Sequence, residues 1–87
     1  MPPELHITSC LVHARPEALA PTRAALAAMD GVEVRGASPD GKVVVTLETA
    51  SEGGIVDRLA AMRDLPGVLS AVLVFHRVEA PSTSQGV

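Results

Sequence analysis

The residues of this 87-residue chain that could do chemistry are three histidines and one cysteine, and they form no catalytic or metal-binding motif. His6 and His13 are seven residues apart on a predicted strand, so they lie on opposite faces and more than about 20 Å apart. His76 lies on another predicted strand, where a surface role is commoner than metal ligation. Cys10, within ITSCLV, is expected to be a buried small hydrophobe. A lone cysteine excludes an internal disulfide and a cysteine-cluster metal site.

Other sequence motifs for catalysis are absent as well. The chain contains no HExxH, CxxC, GxSxG or phosphate-loop pattern. The glycine-containing stretch GASPDG (36–41) is typical of a hairpin turn, and the charged pairs at 57–58 and 63–64 are typical of a solvated helix face. The sequence therefore predicts a protein that is not an enzyme and that holds neither a metal nor a cofactor.

Composition argues against nucleic acids and membranes as partners. The chain has one Phe and neither Trp nor Tyr, and its net charge is −3. Nucleic-acid binding needs a basic surface, and single strands also need aromatic side chains for base stacking. The first residues, MPPELHITS, lack the basic and apolar regions of a secretory signal, and no apolar stretch approaches the ~20 residues of a membrane span. We therefore expect a cytoplasmic protein.

Periodicity and turn residues predict six elements. They are a strand at 6–13, a helix from about Pro16 to Asp30-Gly31, strands at 32–37 and 42–48, a helix after an N-cap at Ser51, and a strand at 68–77. The order βαββαβ is typical of the ferredoxin-like α+β fold, a four-stranded antiparallel sheet with both helices on one face. We expect one domain, residues 1–78, and a disordered tail, residues 79–87.

The first and last strands are apolar on both faces, so the helices leave one apolar face of the sheet uncovered. Strand alternation assigns ten residues to the core: Thr8, Cys10, Val12, Val43, Val45, Leu47, Leu69, Ala71, Leu73 and Phe75. The opposite face receives Ile7, Ser9, Leu11, Val44, Thr46, Val72, Val74 and His76. A one-residue slip of the first strand would exchange these assignments, so its register is open. An apolar face rimmed by polar groups is typical of an interaction site.

Two kinds of occupant fit this face on the residues alone, a second copy of the chain or a foreign partner. Five half-buried aliphatic side chains contribute roughly 1 kcal/mol each, whereas association costs on the order of 4–15 kcal/mol. Polar contacts at the rim must therefore add affinity, and Glu33, Glu48 and His76 are best placed to supply them. The alternative function is a regulatory ferredoxin-like domain that binds a small molecule and dimerises through the sheet.

Between residues 6 and 77 the chain contains four further characteristic stretches: ITSCLVHARPE, MDGVEV, SPDGKVVVTLE and LPGVLSAVLVFH. Together they resemble the NapD family, small cytoplasmic chaperones of the periplasmic nitrate reductase. The most specific part is GVLSAVLVFH, which is close to the family pattern GVL-x-x-x-LVYH. Phe75 stands where the family often has Tyr, and this change keeps the packing role.

The resemblance implies a partner, the twin-arginine signal peptide of the nitrate reductase catalytic subunit. In this family the peptide lies as a helix on the open sheet face, and its capture delays export until the cofactor is inserted. A weak homodimer is the other expected use of the face. By position the peptide-binding role falls on Ile7, Ser9, Leu11, Val44, Thr46, Val72, Val74 and His76. Charge and strand face add Glu33 and Glu48 as partners of the arginines.

Overall fold

The computed structural model describes residues 5–79 and shows four strands and two α-helices. In chain order these are β1 (Leu5–Ala14), a short 3₁₀ turn (Pro16–Ala18), α1 (Leu19–Ala27), β2 (Val32–Ala37), β3 (Lys42–Thr49), α2 (Glu52–Arg63) and β4 (Val68–Glu79). The strands form one sheet in the order β2-β3-β1-β4, and all neighbouring pairs are antiparallel. The predicted ferredoxin-like α+β fold is confirmed.

The last strand is longer than expected. β4 continues to Glu79, one residue beyond the predicted domain end at residue 78. The rest of the predicted disordered tail, residues 80–87, lies outside the described residues.

The first helix begins later than Pro16. Pro16 opens the separate 3₁₀ turn, and α1 starts at Leu19 after Ala18. This start places Pro21 in the first turn of α1, where a backbone N–H has no intrahelical partner, so the missing N–H of proline costs little.

The second helix is capped as the sequence predicts. The Ser51 hydroxyl accepts a hydrogen bond from the Gly54 backbone N–H at 3.1 Å. At the other end Arg63 Nε donates to the Ala71 carbonyl oxygen at 3.0 Å, which ties the end of α2 to β4. The cap therefore fixes where α2 begins, and the Arg63 bond holds its other end over the sheet.

The burial of alternate side chains determines which face of the sheet each β1 residue takes. Cys10 and Val12 are fully buried, while Ile7 and Leu11 lie on the other face and are half-buried. The core cluster joins residues from both helices to residues from one side of the sheet: Cys10, Val12, Leu26, Val32, Val43, Val45, Leu47, Ile55, Met62 and Ala71. Both helices therefore pack on the same side, which we call the helix-covered face. The opposite side, the open face, has no layer over it among residues 5–79.

Candidate functional site

Residues on the open face form rows that run across the strands. The central row is apolar, with Val44 of β3 opposite Leu11 of β1 and Leu11 opposite Val72 of β4. The next row pairs Thr46 with Ser9, and Ser9 in turn lies opposite Phe75. Val44, Val72 and Phe75 are exposed. These two rows form a shallow, largely apolar strip, three strands wide, in the middle of the open face. We call it the apolar strip.

Beyond this strip, each end of the open face carries charged or polar side chains. At one end Ile7 lies between Glu48 and Arg77, and at the other His13 lies between Lys42 and Ser70. The face therefore offers both signs of charge at its rim.

Two bulges in β4 change the expected facing of its side chains. The pairing with β1 shifts register between His13 and Ala14 and again between Ser9 and Cys10, which makes Leu69 and Val74 the extra residues on β4. A bulged residue has no partner, and the strand changes phase after it. The core assignment of Leu69 is therefore wrong, since 55% of this residue is exposed. Val74 is exposed at its bulge and was expected on the open face.

The second bulge moves Phe75 from the predicted core to the open face. Phe75 lies opposite Ser9, and 54% of its surface is exposed. Leu73, before the bulge, lies opposite the buried Cys10 on the helix-covered face as predicted, yet it is exposed. The core predictions for Ala71 and for the β1 and β3 residues are confirmed.

The same phase change places His76 on the helix-covered face, which corrects its predicted place on the open face. His76 lies opposite Thr8, and its Nε2 is 3.1 Å from Nδ1 of His6. The two ring planes differ by 8° and their centroids are 5.3 Å apart. The centroid separation of 5.3 Å is close to the sum of the 3.1 Å nitrogen–nitrogen distance and the radii of the two rings. The two rings therefore lie end to end in nearly one plane.

In this arrangement one imidazole nitrogen donates and the other accepts. The hydrogen bond gives His6, which is only 5% exposed, a partner inside the fold. His76 therefore has a structural role at this end of the sheet.

An acidic depression lies on the open face beside β2. Its volume is about 350 Å³, and it is lined by Gly31, Val32, Glu33, Thr46 and Glu48. Glu33 and Glu48 are exposed, and within residues 5–79 no side chain forms an ion pair or hydrogen bond with the Glu48 carboxylate. Thr46 follows Val44 by two residues, which along a strand is about 7 Å, so the depression adjoins the apolar strip. Two carboxylates and an apolar strip thus share one surface.

Three residues of the open face were missed by the sequence reasoning. Phe75 and Arg77 are placed there by the bulge in β4 at Val74. Arg35 shares the face of Glu33, two residues earlier on β2, and is the extra residue of a bulge between Val34 and Gly36. Arg35 Nη2 lies 3.0 Å from Glu33 Oε1, and Arg35 Nε donates to Thr46 Oγ1 at 3.1 Å. A signal for the β2 bulge was present in the sequence, because an isolated glycine within a strand, here Gly36, often marks a bulge.

The remaining chemical groups give no second site. Burial raises the pKa of the Cys10 thiol, so the reactive thiolate is disfavoured. Among residues 5–79 no three His, Cys, Asp or Glu side chains are grouped to hold a metal ion. None of the helices in that part of the chain has the length and apolar character needed to cross a membrane.

Comparison with known proteins identifies the family. The family model for the NapD protein matches residues 5–80, a range that includes every described residue. The chain belongs to the NapD family. The chaperone NapD of Paracoccus pantotrophus is 40% identical over 74 residues, which is 85% of this chain and 65% of the length of that relative. The chain thus spans about two thirds of the curated relative that it matches.

A solved structure supports the same family at the level of the fold. The solution structure of the Tat proofreading chaperone protein NapD of E. coli matches with a TM-score of 0.78 and 25% identity. The match covers 95% of this chain and 88% of the other. The family resemblance seen in the sequence is confirmed. Membership in a family whose named relatives are chaperones also supports the expectation that the protein is not an enzyme.

Proposed function

We propose that this NapD-family protein binds the twin-arginine signal peptide of a periplasmic nitrate reductase catalytic subunit on its open face. Binding takes place in the cytoplasm and delays export until the cofactor is inserted and the subunit has folded. The observation that carries the proposal is the junction of the apolar strip with the acidic depression. A twin-arginine signal peptide offers the two complements, an apolar helical stripe and a pair of guanidinium groups.

The apolar strip supplies contact area for the peptide. Leu11, Val44 and Val72 present aliphatic side chains, and Phe75 adds the one phenyl ring of the chain. Ile7 extends this apolar surface beyond the strip toward Glu48 and Arg77. Ser9, Thr46 and the bulged Val74 complete the proposed surface. His76 is left out because it lies on the helix-covered face, where its ring bonds to His6. Since the strip is shallow, apolar contacts alone do not overcome the cost of association.

The acidic depression supplies the polar contacts. An arginine fork matches a carboxylate geometrically, and such bonds are stronger than those between neutral groups. Glu48 is the first acceptor in this proposal, because no side chain within residues 5–79 engages its carboxylate. Glu33 is the second acceptor. The arginine pair therefore fixes where along the strip the apolar part of the peptide lies.

The proposal is tested by isothermal titration with a synthetic signal peptide and with a version whose two arginines are replaced by glutamine. Glu48→Gln removes one charge with little change in shape, and Glu17→Gln is the matched control in the 3₁₀ turn next to α1. We expect Glu48→Gln to weaken the native peptide about 3- to 10-fold and the glutamine peptide hardly at all. Equal effects on both peptides, or an equal loss in Glu17→Gln, would contradict the assignment of Glu48 to an arginine.

A further inference from the structure

Arg35 is an arginine of the chain itself that contacts two of the residues lining the acidic depression, Glu33 and Thr46. The pairing of β2 with β3 shifts register between Val34 and Gly36, and Arg35 is the extra residue at this point. Bulges re-aim side chains, and here the side chain reaches toward β3. Its guanidinium holds Glu33 at 3.0 Å and Thr46 at 3.1 Å, and both residues line the depression.

While Arg35 stays bound to Glu33, the net charge of the depression does not match the two positive charges of a twin-arginine peptide. Glu33 and Glu48 supply two negative charges and Arg35 one positive charge, which leaves −1 for a ligand that brings +2. One arginine of the peptide can bind the Glu48 carboxylate directly. The second arginine must bind the Glu33 carboxylate, which already forms an ion pair with Arg35.

We propose that Arg35 is a built-in competitor that a twin-arginine ligand displaces from Glu33, and that it sets how strongly binding depends on the second arginine. The inference rests on the proposed function. Displacement is easy because the pair is exposed, with side-chain exposures of 54% for Arg35 and 65% for Glu33. Exposed ion pairs are weak, so removing Arg35 is expected to tighten binding of a two-arginine peptide by about two- to five-fold.

The test compares Arg35→Met with Lys42→Met. Lys42 also lies on the open face but at the other end, where its Nζ is 3.6 Å from Asp40 Oδ2. Both substitutions remove one positive charge, so a general change in electrostatic attraction affects them alike. Each variant is titrated with the signal peptide and with a version in which one of its two arginines is glutamine. Arg35→Met should tighten the two-arginine peptide about two- to five-fold and leave the one-arginine peptide nearly unchanged, and Lys42→Met should tighten neither.

A second measurement uses the unmodified chain. The Arg35 Nε–Hε group is hydrogen-bonded to Thr46, so its ¹⁵N–¹H signal should shift or broaden when the two-arginine peptide is added. An unchanged signal at saturation, or equal affinities of the Arg35→Met and Lys42→Met variants, would overturn this inference alone. No binding of the two-arginine peptide by the unmodified chain would overturn the proposed function itself.

Discussion

Replacing Phe75 by alanine tests the bulge in β4 and the open face together. A fully enclosed Phe buries about 150–250 Å². Because 54% of Phe75 is exposed, about 90 Å² is buried within the domain, and alanine keeps part of that contact. At about 25 cal/mol per Å² the substitution should lower the free energy of unfolding by about 1–2 kcal/mol. A core position would cost about 3–5 kcal/mol.

The exposed part of Phe75 is available to a ligand. About 110 Å² of this residue is open, and covering half or more of it contributes about 1.4–2.8 kcal/mol. Phe75→Ala should therefore weaken signal-peptide binding by about 10- to 100-fold. Leu47→Ala is the matched control, because Leu47 is fully buried on the helix-covered face. We expect Leu47→Ala to cost about 2–5 kcal/mol of stability and to leave the affinity of the folded protein nearly unchanged.

Stability is measured by urea denaturation followed by far-UV circular dichroism, since the chain has no Trp or Tyr for fluorescence. Affinity is measured by isothermal titration at a temperature where both variants are folded. If Phe75→Ala were as destabilising as Leu47→Ala and kept its affinity, the Phe75 ring would lie in the core. The placement of the bulge and of the peptide surface near it would then be wrong.

Four further substitutions test other parts of the fold and site. Val72→Asp should abolish peptide binding while unfolding stays cooperative. The neighbouring substitution Ala71→Asp should unfold the domain, because Ala71 is only 1% exposed. Equal losses of stability in urea for the two variants would contradict the assignment of β4 side chains to the two faces. His76→Ala should lower stability by about 0.5–1.5 kcal/mol, because the hydrogen bond between the His6 and His76 rings is lost, and should leave peptide affinity unchanged; a loss of affinity in titration would return His76 to the open face. Thr8→Val should raise the urea midpoint, since the buried Thr8 hydroxyl has no hydrogen-bond partner within residues 5–79; a lower midpoint would show that the hydroxyl is hydrogen-bonded.

The overall fold was predictable because its local signals agree with one another. Ser51 caps α2, Gly41 adopts a positive φ of 101° in the predicted hairpin turn, and the strands alternate in β1 and β3. A Cβ on Gly41 would lie 2.0 Å from the Ala14 carbonyl oxygen, so the turn requires glycine at this point. These features depend on neighbouring residues, and a single sequence contains them.

The facing of β4 could not be predicted in the same way. Its side chains from Val68 to Phe75 are almost all apolar, so alternation carries no information about which face each one takes. Neither bulge is marked by a glycine: the extra residues are Leu69 and Val74. The shift depends on pairing with β1, a long-range contact. For this reason Phe75 and His76 were assigned to the wrong faces, while Val72, which lies between the bulges, was assigned correctly.

The acidic depression was predictable in part. Glu33 and Glu48 were chosen by charge and strand face, and the structure places both at one depression. The ion pair of Glu33 with Arg35 agrees with alternation, which puts residues two apart on the same face of a strand, but the bulge at Arg35 does not follow from alternation. Gly36 was the available signal for it.

The central claim is that the signal peptide lies on the open face, and methyl NMR tests it most directly. The methyl groups of Ile7, Leu11 and Val44 point to the open face, and those of Val12 and Val45 are buried on the helix-covered face. In a protein with ¹³C-labelled Ile, Leu and Val methyl groups, the account predicts that added peptide shifts the first set strongly and the second set little. Shifts confined to the buried set and the helices, with the open-face methyl groups unchanged at saturation, would contradict it.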